Sequence, residues 1–119
     1  MRAVLALTSA LVLAAGCAKK SDEPAPAADD RPPPVPAAEV QRGKDACAAY
    51  VEKVCACTTP AAQDACGLAK ALPDALQVGV EVATSPDSDE RAVRHANDSI
   101  RKTIKECIEQ AARLPSIGC

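Results

Sequence analysis

The positions of apolar and polar residues divide the chain into three parts. Residues 3–15 form an unbroken run of apolar or small residues, whereas residues 18–38 are dominated by proline, alanine and charge. From residue 39 onward, apolar residues recur every three or four positions, which is the period of an amphipathic α-helix. No stretch there alternates apolar and polar residues long enough to predict a strand. The pattern therefore predicts a short apolar leader, an extended spacer and an all-α domain over residues 39–119.

Helical spacing predicts two segments in the first half of this domain. The first runs from Glu39 to about Ala56. The second begins directly afterwards, because Thr59 suits the N-cap and Pro60 the first helical position. Pro73 lacks a backbone donor and clashes with the preceding turn, so the second helix should kink or divide there. The buried stripes comprise Val40, Cys47, Val51 and Val54 in the first segment, and Ala65, Ala69, Leu72, Leu76, Val80 and Ala83 in the second.

A third segment completes the predicted fold. Asp87 and Glu90 have the spacing of a capping box, so we expect the helix to start there and continue to Arg113. Glu109 and Arg113 are four apart, in the favourable sense for an ion pair. Short turns between helices imply a small up-down bundle of three or four helices. The buried stripe predicted for this third segment comprises Val93, Ile100, Ile104, Cys107, Ile108 and Ala111.

The apolar leader has the features of an export signal. It follows a single positive charge at Arg2 and is too short to span a bilayer, which needs about 20 apolar residues. Leu13-Ala14-Ala15-Gly16-Cys17 resembles the lipobox of bacterial lipoproteins, although Ala14 stands where that family usually has leucine. The resemblance implies cleavage after residue 16, a thioether-linked diacylglycerol on Cys17 and palmitate-like acylation of the new amino group. The alternative is an ordinary signal peptide that happens to contain Cys17.

The resemblance also implies a location in the cell envelope. Ala18 stands where an aspartate would favour retention in the inner membrane under enteric-type sorting. It therefore favours the outer membrane, with the domain held on its periplasmic or surface side. Two or three acyl chains anchor a protein stably, whereas one holds it only reversibly.

Residues 17–38 are predicted to form a disordered tether. Val35 is the only large apolar residue among positions 18–38, and such a segment buries too little surface to offset the entropy of ordering. The three prolines at 32–34 favour an extended polyproline conformation, so about twenty residues reach at most about 60–70 Å. We expect a solvated spacer; a ligand for a proline-recognition domain is the alternative.

The number of cysteines is consistent with the export signal. The chain has seven cysteines, and setting aside Cys17 for lipid leaves an even six. An exported chain enters an oxidising compartment, so we expect three disulfides. They are needed as reinforcement, because the domain lacks Phe and Trp and Tyr50 is its only aromatic. Counting heights along a bundle at about 1.5 Å per residue predicts the pairs Cys47–Cys107, Cys55–Cys66 and Cys57–Cys119, among the fifteen possible.

The most suggestive local motif is Cys55-Ala56-Cys57. One functional interpretation is a copper(I) or zinc site completed by Cys47, Cys66 or His95. Another is a reducible bridge between the two neighbouring thiols of a redox protein. The export signal, the even parity and the absence of paired Cys-x-x-Cys spacing favour two structural half-cystines with different partners.

The remaining polar residues favour a solvated surface. His95 is the only histidine and falls off the apolar stripe, with no serine or cysteine spaced to act with it as a nucleophile. A stripe of five basic residues is interrupted by Asp98, and binding to anionic lipid or an acidic partner is the less favoured interpretation. Nucleic acid is not indicated, because the formal net charge is −2 and only one aromatic residue could stack on bases. The basic residues are Arg91, Arg94, Arg101, Lys102 and Lys105.

The sequence thus predicts a non-enzymatic, cofactor-free envelope module that is tethered by Cys17 and contacts an envelope protein. The Cys-x7-Cys-x-Cys-x8-Cys spacing within residues 44–76 resembles small cysteine-rich helical lipoproteins of GC-rich bacteria, and this resemblance implies no activity. A binding protein for a metal ion or small apolar ligand is the alternative, and a thiol–disulfide redox protein is the third hypothesis.

Overall fold

Four α-helices and a short 3₁₀ helix make up the computed structural model, which describes residues 30–119. Helix α1 spans Ala37–Ala56, α2 Pro60–Ala69, α3 Ala71–Thr84 and α4 Glu90–Arg113, followed by the 3₁₀ helix Leu114–Ile117. No strand occurs within these described residues. The predicted small, disulfide-stapled, all-α bundle is confirmed.

Helix α4 is the centre of the bundle. It packs against both α1 and α3, while α2 packs mainly against α1. The chain runs along α1, turns, returns along α2 and α3, and turns again into α4. One end of the bundle therefore carries the start of α1, the end of α3 and the start of α4. We call this the strap end, for the segment described below, and the opposite end the disulfide end.

Two apolar clusters divide the core along the bundle axis. The cluster nearer the strap end contains the fully buried Leu76, Ile100 and the Cys47 and Cys107 pair. The cluster nearer the disulfide end is built around Tyr50, Val54, Ala62 and Leu114. Because alanine and valine fill positions that larger residues usually occupy, the cystines contribute both volume and cross-links.

The predicted break at Pro73 falls three residues earlier. Lys70 separates α2 from α3 and keeps right-handed helical angles, so the two helices follow nearly the same course. Pro73 is then the third residue of α3. At that position a backbone N–H would have no partner within the helix, so proline costs no hydrogen bond there.

The start of α4 and two of its expected contacts need correction. The N-cap is Asp89, whose Oδ1 accepts a hydrogen bond from Ala92 N at 2.7 Å, rather than Asp87. Ile108 was expected in the core but is 55% exposed. The ion pair of Glu109 is with Lys105 at 3.7 Å, one turn before it, rather than with Arg113.

Gly43 has a packing role in α1. It is buried, and a Cβ atom placed there would overlap Cγ1 of Ile104. The missing side chain thus lets α1 and α4 approach closely in the turns between the strap and Cys47.

Candidate functional site

All six cysteines of the described residues are paired. Disulfides join Cys47 to Cys107, Cys55 to Cys66 and Cys57 to Cys119, with Cα–Cα distances of 4.9, 4.8 and 5.8 Å. These are the three pairs that the axial heights predicted. The first bridge lies in the core between α1 and α4. The other two gather at the disulfide end, where Thr59 Oγ1 also donates to the carbonyl of Ile117 at 2.8 Å and ties the carboxyl-terminal tail to α2.

The Cys55-Ala56-Cys57 motif consists of two half-cystines with different partners. Both sulfurs are held in disulfides, so neither is a thiolate, the form that binds metal or attacks another disulfide. Within residues 30–119, no group of three or more His, Cys, Asp or Glu side chains is arranged to hold a metal ion. His95 lies on the exposed side of α4, away from every cysteine pair.

An ordered segment was missed by the sequence prediction and changes the domain boundary. Residues 31–36, which we call the strap, pack across the α3–α4 end of the bundle instead of belonging to the predicted spacer. Val35 is only 5% exposed and joins the core cluster of Val40, Leu76 and Ala83. The predicted start of the domain at Glu39 must therefore move to about Arg31, and α1 itself begins at Ala37.

Asn97 holds the strap through its backbone. It is the only buried polar or charged residue of the described chain, at 5% exposure. Its Oδ1 accepts a hydrogen bond from Val35 N at 3.1 Å, and its Nδ2 donates to the carbonyl of Pro33 at 2.9 Å. An amide between the apolar positions Val93 and Ile100 was the sequence signal for this contact, because a buried amide needs polar partners.

Arg31 secures the outer end of the strap. Its Nη1 donates to the carbonyls of Ser85, Pro86 and Ser88 at 3.4, 3.0 and 3.2 Å. These carbonyls belong to the turn between α3 and α4, so a single guanidinium joins the strap to that turn. The chain consequently leaves the domain at Asp30, at the strap end of the bundle.

The basic residues of α4 do not form a single patch. Arg94 pairs with Glu90, Arg101 lies 3.4 Å from Glu39 and Lys105 pairs with Glu109. Three of the five cations are thus matched by carboxylates on exposed surfaces, where such pairs contribute little stability. Arg91 and Lys102 remain exposed on the side of α4 that faces α3.

An apolar groove of about 460 Å³ runs between α3 and α4. Its α3 wall is Ala75, Val78, Gly79 and Val82, and its α4 wall is Ala92, His95, Ala96 and Ser99. Val78 and Val82 are 58% and 37% exposed, and Leu68 of α2 is 79% exposed further along the same side. Exposed apolar residues that are contiguous mark contact surfaces more often than isolated ones do.

Tyr50 lies at the centre of the second core cluster and is 4% exposed. Burial raises the pKa of its hydroxyl above the ordinary value of 10.0, and the nearby charge of Glu106 raises it further. Both effects disfavour the phenolate, so this side chain is held in its neutral form.

No family model, curated protein or solved structure matches the chain. None of the helices described between residues 30 and 119 combines the length and apolar character that crossing a membrane requires.

Proposed function

We propose that this protein is a non-enzymatic, lipid-anchored module of the bacterial cell envelope that acts through protein contacts. The observation that carries the proposal is the state of the cysteines. The chain has seven, and the six within the described residues are all paired with one another. Cys17 is the one left over, and it occupies the position that the leader's resemblance to lipoproteins assigns to the lipid.

The three disulfides support an oxidising compartment for the domain. Structural disulfides persist in exported proteins and are rare in the cytosol. The leader and the bridges are separate features of the chain, since one concerns residues 1–17 and the other residues 47–119. Their agreement favours export, which lipid attachment to Cys17 requires.

The docked strap gives the anchored domain a defined exit point. Because the chain leaves the bundle at Asp30, only residues 17–29 separate it from the lipid. Thirteen residues span at most about 45 Å. The tether would therefore join the domain at the strap end and hold that end within this distance of the membrane surface. The outer membrane remains the favoured location because Ala18 follows the lipidated cysteine.

The proposal is tested with full-length Cys17→Ser and Ala18→Ser variants grown with an alkyne analogue of palmitate. The parent chain and Ala18→Ser should incorporate the label and sediment with membranes, because the acceptor sulfur is intact. Cys17→Ser should lose the label and leave the membrane fraction. Equal labelling and equal membrane association of Cys17→Ser would show that the anchor is not at this residue.

A further inference from the structure

The α2–α3 surface carries a second apolar stripe, separate from the buried one. It consists of five exposed positions that follow one another at intervals of three and four, and we call it the exposed seam. Alternating intervals of three and four are the heptad spacing by which helices pack side by side. The exposed seam comprises Leu68, Ala71, Ala75, Val78 and Val82.

The seam is continuous because the break between α2 and α3 is slight. Lys70 keeps helical backbone angles, and its N–H donates to the carbonyl of Cys66 at 3.2 Å. Leu68 faces Glu106 and Gln110 of α4, and Val78 and Val82 face His95 and Ser99 of the same helix. The seam thus lies along one side of the bundle for most of its length.

Unlike charges flank the seam. On α3, Asp74 lies one turn before Val78 and Glu81 one turn after it, so both carboxylates line the outer edge. On α4, Arg91 and Lys102 lie one and two turns from His95 and line the opposite edge. None of these four side chains forms an ion pair with another residue in the 30–119 region, where the α4 pairs involve Arg94, Arg101 and Lys105.

We propose that the exposed seam is the interface of a parallel homodimer, in which Glu81 and Asp74 of each copy meet Arg91 and Lys102 of the other. A two-fold axis running along the bundle places the acidic edge of one copy against the basic edge of the second. A two-fold axis that lies in the plane of the interface but runs across the bundle would give an antiparallel pair and place like charges together. Charge complementarity therefore selects a second copy and its direction.

The heights of the charges also match. Counted from the strap end at about 1.5 Å per residue, Glu81 lies at about 5 Å and Arg91 at about 2 Å. Asp74 lies at about 15 Å and Lys102 at about 18 Å on the same scale. Asp98 lies at about 12 Å, as close in height to Asp74 as Lys102 is, so the pairing of Asp74 with Lys102 relies on the longer reach of the lysine side chain. Each carboxylate thus meets a cation within the reach of a long side chain.

A parallel dimer also points both strap ends the same way. If the proposed anchor on Cys17 exists, both tethers then reach one membrane without crossing the bundle. This agreement rests on the proposed function, whereas the seam and its charged edges do not.

The test uses single cysteines in the full-length protein and a bismaleimide cross-linker applied to intact cells. The six paired cysteines do not react with maleimide, and the parent chain reports any reaction at Cys17. Leu68→Cys, Ala75→Cys and Val82→Cys should each cross-link to a dimer, because a parallel two-fold brings equal heights together. Ile108→Cys is the matched control: it lies nine residues after Ser99, about two and a half turns, on the opposite side of α4.

Each outcome decides the proposal. Cross-linking at Ala75→Cys alone would indicate an antiparallel pair and overturn the proposal. Dimer yields no higher than those of Ile108→Cys and the parent chain would also overturn it. Glu81→Arg should lower the Val82→Cys dimer yield several-fold, and adding Arg91→Glu should restore it. Loss without restoration would show that these charges do not pair across the interface. Because lipid labelling is measured separately, a chain that dimerises without lipid would contradict only the anchoring.

Discussion

The amide of Asn97 makes two hydrogen bonds to the backbone of the strap, one to Val35 N and one to the carbonyl of Pro33. This contact joins a segment with the composition of a spacer to the most central helix of the bundle. It places Val35 in the core, and Arg31 then directs the preceding chain to the strap end. The relationship determines where a tether leaves the domain.

We predict that Asn97→Ala lowers the free energy of unfolding by about 1–3 kcal/mol, because the buried N–H of Val35 and the partly buried carbonyl of Pro33 lose their partner. Asp98→Ala, at the neighbouring exposed position, should change it by less than about 0.5 kcal/mol. Urea denaturation followed by circular dichroism measures both. Equal stabilities for the two variants would mean that the strap is not held by Asn97.

The three disulfides should differ in how readily they are reduced in the native protein. Cys119 is exposed and its bridge to Cys57 should react first, whereas Cys47 and Cys107 are both 0% exposed and should react last. Alkylation after timed exposure to a mild reductant, followed by peptide mass spectrometry, gives the order. Early loss of the Cys47–Cys107 bridge while the domain stays folded would contradict the packing described.

Replacing the core disulfide should cost more than replacing the short one. Cys47–Cys107 spans 60 residues and Cys55–Cys66 spans 11. Loop-closure entropy then predicts losses of about 4 and about 3 kcal/mol for the respective double alanine variants, and the buried pair also leaves a cavity. Denaturant titration of both variants and the parent chain measures these losses in the free energy of unfolding. A larger loss for the Cys55–Cys66 variant would contradict the prediction.

Stability should fall at high pH because of Tyr50. The pKa of its hydroxyl is raised in the folded state, first by burial and then by Glu106. The neutral form is therefore favoured by folding, and its contribution is fully present below the ordinary pKa of 10.0 and lost as the pH rises through the higher folded value. Ultraviolet absorbance of the phenolate should show a later titration in the folded than in the urea-unfolded chain. Coincident curves would contradict the burial, and Tyr50→Phe, which lacks the signal, is the control.

Much of the fold follows from local patterns that the sequence displays. The period of the apolar residues predicts each helix, and Thr59-Pro60 predicts the start of α2, where Thr59 Oγ1 accepts from Ala62 N at 3.3 Å. The disulfide pairs follow from helix lengths alone. Each of these features depends on residues close in sequence or on a simple count along an axis.

The strap and the exposed seam could not be predicted in the same way. Val35 and Asn97 are 62 residues apart, and nothing local distinguishes a proline-rich segment that docks from one that does not. Asp87 and Asp89 are both suitable N-cap residues by type, and local spacing did not identify Asp89 as the one that caps α4. The buried stripe predicted for α2 and α3, which includes Leu72, Leu76 and Val80, does face the core. The exposed seam was missed because its residues align along one side only when α2 and α3 continue past Lys70 with helical backbone angles.

The most direct test of the proposed anchoring is the mass of the intact mature protein, extracted from membranes and kept unreduced. We predict a chain that begins at Cys17, carries diacylglycerol and an amide-linked acyl group, and is lighter by six hydrogens because of its three disulfides. A chain that begins elsewhere, or one with an unmodified Cys17, would contradict the proposed lipid anchor.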